Sequence, residues 1–132
     1  MSKLPMIAIV DDDQAVRDAL CDLLLVEGMT ARSFASAADF LAEDVCAFNC
    51  LITDVRMPEI NGLVLQQRLR ARGSKLPVIF ITSSANDATR AEAMRGGASA
   101  WFTKPVADDA LLGMLRTLAP SSRRGAQDSS GE

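Results

Sequence analysis

The sequence contains no histidine and no tyrosine. Without histidine there is no Ser-His-Asp triad, no H-E-x-x-H zinc motif and no phosphohistidine carried by this chain. Its three cysteines are an odd number without C-x-x-C spacing, which argues against a disulfide framework and a zinc knuckle. A reduced, cytoplasmic setting is the simplest expectation. A basic excess is missing too: 14 Lys and Arg face 17 Asp and Glu, a formal charge of −3. DNA-binding domains usually carry the opposite balance, so direct contact with nucleic acid by this chain is not expected. No apolar run approaches the roughly 20 residues that cross a bilayer. Met1 to Pro5 offers no apolar stretch long enough for a secretory signal, so no membrane partner is expected either.

What is present suits one domain. The chain has 132 residues, 48% hydrophobic and 23% charged, close to the globular average. Met6-Ile7-Ala8-Ile9-Val10 is an apolar run ending in aspartates, as a strand buried on both faces would be. Val16, Leu20, Leu23 and Leu24 recur at helical spacing between Gln14 and Glu27, and Gly28 suits a left-handed C-cap. Thr30 to Phe34 reads as a strand, and Ser36 with Asp39 as a capping-box variant opening a helix to about Ala42. A strand at Cys50–Thr53 is followed by a turn with Pro58 and Asn61-Gly62, then a helix from about Leu63 to Arg72. Pro77–Ile81 is a further strand, with a helix from Asn86 or Asp87 to Arg95 behind it. Ala100–Thr103 and Asp108–Leu118 supply the last strand and helix.

Apolar strands alternating with helices imply an α/β fold: a doubly wound, five-stranded parallel (βα)5 sheet in the order 2-1-3-4-5. Residues 1–119 would form the domain. Residues 120–132, with four serines, two glycines and a proline, would be a disordered tail or linker.

In such sheets ligands bind at the carboxyl ends of the strands. Strand 1 delivers Asp11 and Asp12 to that rim, strand 3 delivers Asp54, strand 4 Thr82 and strand 5 Lys104. Strands 1 and 3 are neighbours in this order, so three carboxylates crowd together. Two like charges about 4 Å apart repel by about 4 kcal/mol at an effective dielectric of about 20, which a stable fold avoids unless a cation sits among them. Oxygen ligands alone, with neither histidine nor paired cysteines, point to Mg2+. Mg2+ commonly shares its shell with phosphate, so the rim predicts phosphoryl chemistry. Asp54, alone at its strand end, is the expected nucleophile and phosphoacceptor. Asp11, Asp12 and Asp54, with the Arg56 backbone carbonyl, are the expected metal site. Lys104 would neutralise phosphate oxygens and the Thr82 hydroxyl would donate to the arriving phosphoryl group.

Val10-Asp11-Asp12-Asp13, Thr53-Asp54-Val55-Arg56-Met57-Pro58, Gly62, Ile81-Thr82-Ser83 and Thr103-Lys104-Pro105 together resemble the receiver domain of two-component response regulators. The Asp-Val-Arg-Met-Pro stretch is most similar to the FixJ-like, nitrogen-fixation type. The resemblance spans residues 5 to about 119. It implies a flavodoxin-like receiver fold and a phosphoryl group donated to Asp54 by a sensor histidine kinase or a histidine phosphotransfer protein. It also implies a switch in which Thr82 and Trp101 move and the helix 4–strand 5–helix 5 face changes its affinity for a partner. Phosphorylation-dependent homodimerisation, a cis Lys104-Pro105 bond and output through an effector such as a transcription regulator are further implications. The chain would be a signalling switch with self-catalysed transfer and slow autodephosphorylation, not an enzyme. Ser83 stands where the family usually has alanine or glycine, and Val106 replaces the common phenylalanine. Arg56 and Ser84 occupy positions that tune phosphoryl lifetime.

Each residue also has a plainer explanation. Asp11-Asp12-Asp13 could cap a helix, Asp54 could end a turn, and Lys104 could be a solvated lysine. Their joint placement on one rim outweighs these readings. Asp13 is expected to be a cap, Asn61-Gly62 ordinary turn chemistry, and Arg68, Arg70, Arg72 and Lys75 a solvated basic face. A magnesium-dependent phosphatase of the haloacid dehalogenase type is the enzymatic rival. Asp11-Asp12-Asp13-Gln14-Ala15 lacks its Thr or Val, and no cap-domain insertion is visible. A phosphorylation-independent interaction module is the third reading.

Overall fold

Five parallel strands in the order β2-β1-β3-β4-β5 form the centre of the computed structural model, which describes residues 5–83 and 86–118. The elements run β1 (Met6–Val10), α1 (Gln14–Val26), β2 (Thr30–Phe34), α2 (Ala37–Leu41), β3 (Cys50–Thr53), α3 (Gly62–Ala71), β4 (Val78–Thr82), α4 (Asp87–Arg95), β5 (Ala100–Thr103) and α5 (Asp108–Leu118). The expected fold class and strand order are therefore observed. Residues 120–132 and Ser84 lie outside the described residues.

Side-chain alternation explains why apolar strands without polar faces formed. Ala8, Val10, Leu51, Val78 and Phe80 face one core shared with α2 and α3. Ile7, Ile9, Ile52, Ile79 and Ile81 face a second core, filled by leucines of α1 and α5. Each face of the sheet is thus covered, and period-2 polarity would have put polar groups into one of the two cores. Phe34, Phe40 and Phe48 close the first core with ring centroids 5.4–6.1 Å apart, in the tilted and edge-on arrangements aromatic rings prefer.

The helix boundaries follow their caps. Asp13, Ser36, Asn61 and Asn86 each accept a backbone N–H at the start of a helix. At the other end α1, α3 and α4 close in the same way, with Gly28, Gly73 and Gly97 at φ +81, +82 and +94. In each the next residue's N–H returns to a carbonyl five residues back, as Met29 does to Leu24. Some bounds differ from the sequence expectation. β4 begins at Val78, not Pro77, whose missing N–H cannot join a ladder, and it extends to Thr82, which pairs with Thr103. The α3 helix starts at Gly62, one residue earlier than expected. A 3-10 turn at Val45–Ala47, capped by Asp44, was not anticipated.

Candidate functional site

Register brings the acidic residues together. Val10 pairs with Thr53, so Asp11 and Asp54 leave adjacent strands at the same level. The Asp54 N–H still donates to the Val10 carbonyl at 3.2 Å, and the Asp11 N–H to the Phe34 carbonyl at 3.2 Å. Asp11 and Asp54 are buried, whereas Asp12 is exposed. Carboxylate oxygens of Asp11, Asp12 and Asp54 all lie within 4.8 Å of one another. This is a group able to hold a metal ion, with only hard oxygen donors.

Lys104 arrives from the far side. Thr82 and Thr103 are paired, and the Lys104 N–H donates to the Thr82 carbonyl at 2.7 Å. Its ammonium then reaches Asp11 Oδ2 at 3.2 Å and Asp54 Oδ2 at 3.1 Å. The Lys104-Pro105 peptide bond is cis. Lys104 also lines a pocket of about 560 Å³ whose other walls are mostly apolar, among them Val16, Leu20, Leu23, Ile81 and Val106. Lys104 thus stands between an acidic cluster and an apolar recess.

The remaining oxygens are tied to backbone. Asp54 Oδ1 accepts from the Val55 N–H at 2.6 Å and, more distantly, from the Arg56 N–H at 3.4 Å. Asp11 Oδ1 accepts from the Asp13 N–H at 2.9 Å. Arg17 donates to the Asp11 carbonyl at 2.7 Å, closing the acidic turn from α1. Burial pushes the Asp11 carboxyl above its ordinary range. The Asp13 N–H and Lys104 draw it back, and the Asp54 charge adds to the rise. Burial also pulls the Lys104 ammonium down. Hydrogen bonds and charge from Asp54 and Asp11 outweigh that pull, and its pKa ends above the ordinary lysine value.

Gly62 sets how closely α3 approaches. A Cβ built there would overlap the Asp54 carbonyl oxygen and lie 3.1 Å from Phe80 Cε1. The Gly62 N–H meanwhile donates to the Val55 carbonyl at 2.8 Å. Asn61-Gly62 therefore does more than turn the chain: it docks the start of α3 on the residue pair that holds Asp54. Trp101 packs on Phe80, ring centroids 5.7 Å apart, so it is linked to this region through Phe80. Thr82 is buried at the end of β4. Arg56 is exposed beside Asp54.

One residue of the basic face, Arg70, departs from the expectation. Arg68, Arg72 and Lys75 are exposed, as expected. Arg70 is half-buried and donates to four backbone carbonyls, and Arg72 donates to the Leu41 carbonyl at 3.1 Å. Gln66, buried at 2% exposure, and Arg17 were not anticipated as structural donors. For Gln66 the available signal was its place between Leu65 and Leu69 at the edge of the apolar stripe of α3.

A doubly wound sheet with strand-end aspartates facing a lysine across the switch point is the build of a signalling receiver. The chain belongs to the response regulator receiver domain family, whose model matches residues 7–116. It is 43% identical over 126 residues to the response regulator protein TmoT of Ectopseudomonas mendocina, covering 92% of this chain and 57% of that protein. It is 39% identical over 122 residues to the transcriptional regulatory protein FixJ of Azorhizobium caulinodans, covering 91% and 58%. Among solved structures, FixJ-N superposes with a TM-score of 0.79 at 31% identity, covering 86% of this chain and 92% of that one. The response regulator StyR gives 0.82 at 32%, covering 98% and 67%. The chain spans a little over half the length of the curated relatives TmoT and FixJ. Receiver domains accept phosphoryl groups from histidine kinases, and response regulators are signalling proteins. Among the described residues no helix is long and apolar enough to cross a membrane.

Proposed function

We propose that Asp54 is the phosphoacceptor of this receiver. The donor is a phosphohistidine on a sensor histidine kinase or histidine phosphotransfer protein, since the chain has no histidine of its own. The observation that carries the reading is the placement of the Asp54 carboxylate: buried, with one oxygen on the Val55 N–H and the other on the Lys104 ammonium. A carboxylate oxygen attacks phosphorus, the P–N bond breaks, and its electrons leave with the partner's imidazole.

Asp11, Asp12 and Asp54, joined by the Arg56 carbonyl, would hold Mg2+, and the chemistry of the donor set fits it. When bound, the ion would supply charge neutralisation for phosphoryl oxygens. Lys104 supplies the same from the opposite edge and is already aligned by its two carboxylate contacts. Thr82, on the strand beside Asp54, donates its hydroxyl to the phosphoryl group. Trp101 follows through Phe80, and the α4–β5–α5 face shifts between two packings that the phosphoryl group weights differently. A phosphorylation-dependent homodimer and transcriptional output through an effector are the readouts we assign to that face. The chain acts as a switch, transferring and slowly hydrolysing its own phosphoryl group, in a cytoplasmic setting.

The test is intact-mass measurement after incubation with magnesium and acetyl phosphate. The wild type should gain one phosphoryl group and Asp54→Asn none. An unmodified wild type under these conditions would overturn the assignment.

A further inference from the structure

The α4 helix has almost no apolar anchor. Of its nine residues only Ala93 is buried. A short helix so placed belongs to the low-stability end of a fold unless something else holds it. Polar groups of α3 do so. Gln66 donates its side-chain N–H to the Ala93 carbonyl at 3.2 Å, and its amide oxygen lies so near Gly96 that a Cβ there would overlap it. One turn further on, Arg70 donates to the Gly96 carbonyl at 3.1 Å and the Gly97 carbonyl at 3.2 Å. These are the carbonyls at the C-terminal end of α4, where a guanidinium is electrostatically favoured and where intrahelical partners run out. Arg70 also fastens the turn after α3, through the Ser74 and Leu76 carbonyls at 3.2 and 3.0 Å.

The opposite end of α3 is Gly62, in contact with the Asp54 carbonyl. A single helix of ten residues, about 15 Å long, therefore runs from the backbone of Asp54 to the C-terminal end of α4. Helices move as units, and a close backbone contact transmits displacement without slack.

We propose that Gln66 and Arg70 are positioning residues that seat α4 on α3, and that α3 thereby links Asp54 to the α4 surface by a route distinct from Thr82 and Trp101. The seating stands on geometry alone; the link to Asp54 rests on the phosphoacceptor reading.

Hydrogen exchange by mass spectrometry separates the two. The full chain, Gln66→Met and Arg70→Met are compared with and without beryllofluoride and magnesium, with Trp101 fluorescence recorded in parallel. Without beryllofluoride, both variants should exchange the amides of residues 87–98 about tenfold faster, while β1 and β3 keep wild-type protection. With it, the wild type should change exchange across α4. The variants should lose most of that change yet retain the Trp101 response. Wild-type α4 protection in both variants would overturn the seating. A full α4 response in the variants, or loss of the Trp101 response along with it, would overturn the link. A wild type that ignores beryllofluoride would sink the phosphoacceptor reading and the link together, and the first comparison would still decide the seating. Arg70→Met also loosens the turn after α3, so if it fails to fold Gln66→Met decides, having no bond to that turn.

Discussion

Replacing Asp11 by asparagine should make the metal-free chain more stable. Asp11 is 3% exposed, and its Oδ2 lies 3.2 Å from the Lys104 ammonium. Oxygens of Asp12 and Asp54 are within 4.8 Å of it. At an effective dielectric of about 20, each such carboxylate repels Asp11 by about 3.5 kcal/mol, whereas Lys104 attracts it by about 5 kcal/mol. Water screens the exposed Asp12, and Lys104 then outweighs Asp54, so charge pairing alone does not favour the neutral side chain. Burial of the charge decides it: desolvation is the largest influence on Asp11 and raises its pKa despite the Asp13 N–H and Lys104. Desolvating a carboxylate costs several kcal/mol, of which the Lys104 and Asp13 contacts recover most, leaving a gain of about 1–2 kcal/mol for a neutral side chain. Asparagine keeps an oxygen for the Asp13 N–H; its amide nitrogen replaces the oxygen that accepted from Lys104, which retains its bond to Asp54.

A gain of that size corresponds to a rise in Tm of about 4–8 °C for a domain of this length. Circular-dichroism melts in EDTA at pH 7 would measure it. Magnesium should then reverse the order of benefit, stabilising the wild type more than the variant, which has lost a ligand. The pH dependence has a defined sign. Asp11 titrates higher in the folded chain than in the unfolded one, so the folded state holds the proton longer. Its contribution is present at low pH and is lost as pH rises through the raised folded pKa, and Asp11→Asn should lack that slope. A variant no more stable than wild type in EDTA would refute the electrostatic reasoning.

Gly62→Ala should cost about 1–3 kcal/mol, because the new methyl must displace the Asp54 carbonyl or α3. Urea midpoints would show it, and an unchanged midpoint would mean the contact is looser than described. The cysteines should separate by reactivity: burial pushes the Cys50 thiol up to about 12, while Cys46 is exposed. Iodoacetamide at pH 8 should label Cys46 and spare Cys50 in peptide maps, and equal labelling would contradict the buried placement of Cys50.

The sheet was readable because both of its faces are covered. β1, β2, β3 and β5 begin and end where expected; β1 and β3 are buried almost throughout, while the edge strand β2, Thr-Ala-Arg-Ser-Phe, is partly polar and exposed. A central strand covered on both faces is apolar nearly throughout, and in β1, β3 and β5 the aspartate or lysine that follows marks the rim. β4 shifted by one residue at each end because its limits depend on the proline's missing N–H and on pairing with β5. The turn at Val45–Ala47 is too short to carry any period. The acidic site was readable for a related reason. Parallel strands all end on one edge, so the strand order places Asp11 beside Asp54, and the Lys104 contacts to both carboxylates follow from the next two strands.

What escaped the sequence has a common physical character. Arg70 carries the same letter as exposed Arg68, and nothing in their spacing distinguishes them. The difference lies in backbone carbonyls of Ser74, Leu76, Gly96 and Gly97, which converge only once β4 and α4 have packed. Arg17 on the Asp11 carbonyl and Gly62 against the Asp54 carbonyl are cases of the same kind. Every residue type has the same carbonyl, so a side chain whose partner is backbone leaves no complementary letter elsewhere in the chain. Lys104 facing two aspartates does leave one. Constellations of side chain with side chain can therefore be inferred once strand order is known. The backbone-directed donors that seat α3 and α4 appear only when the fold itself is in hand.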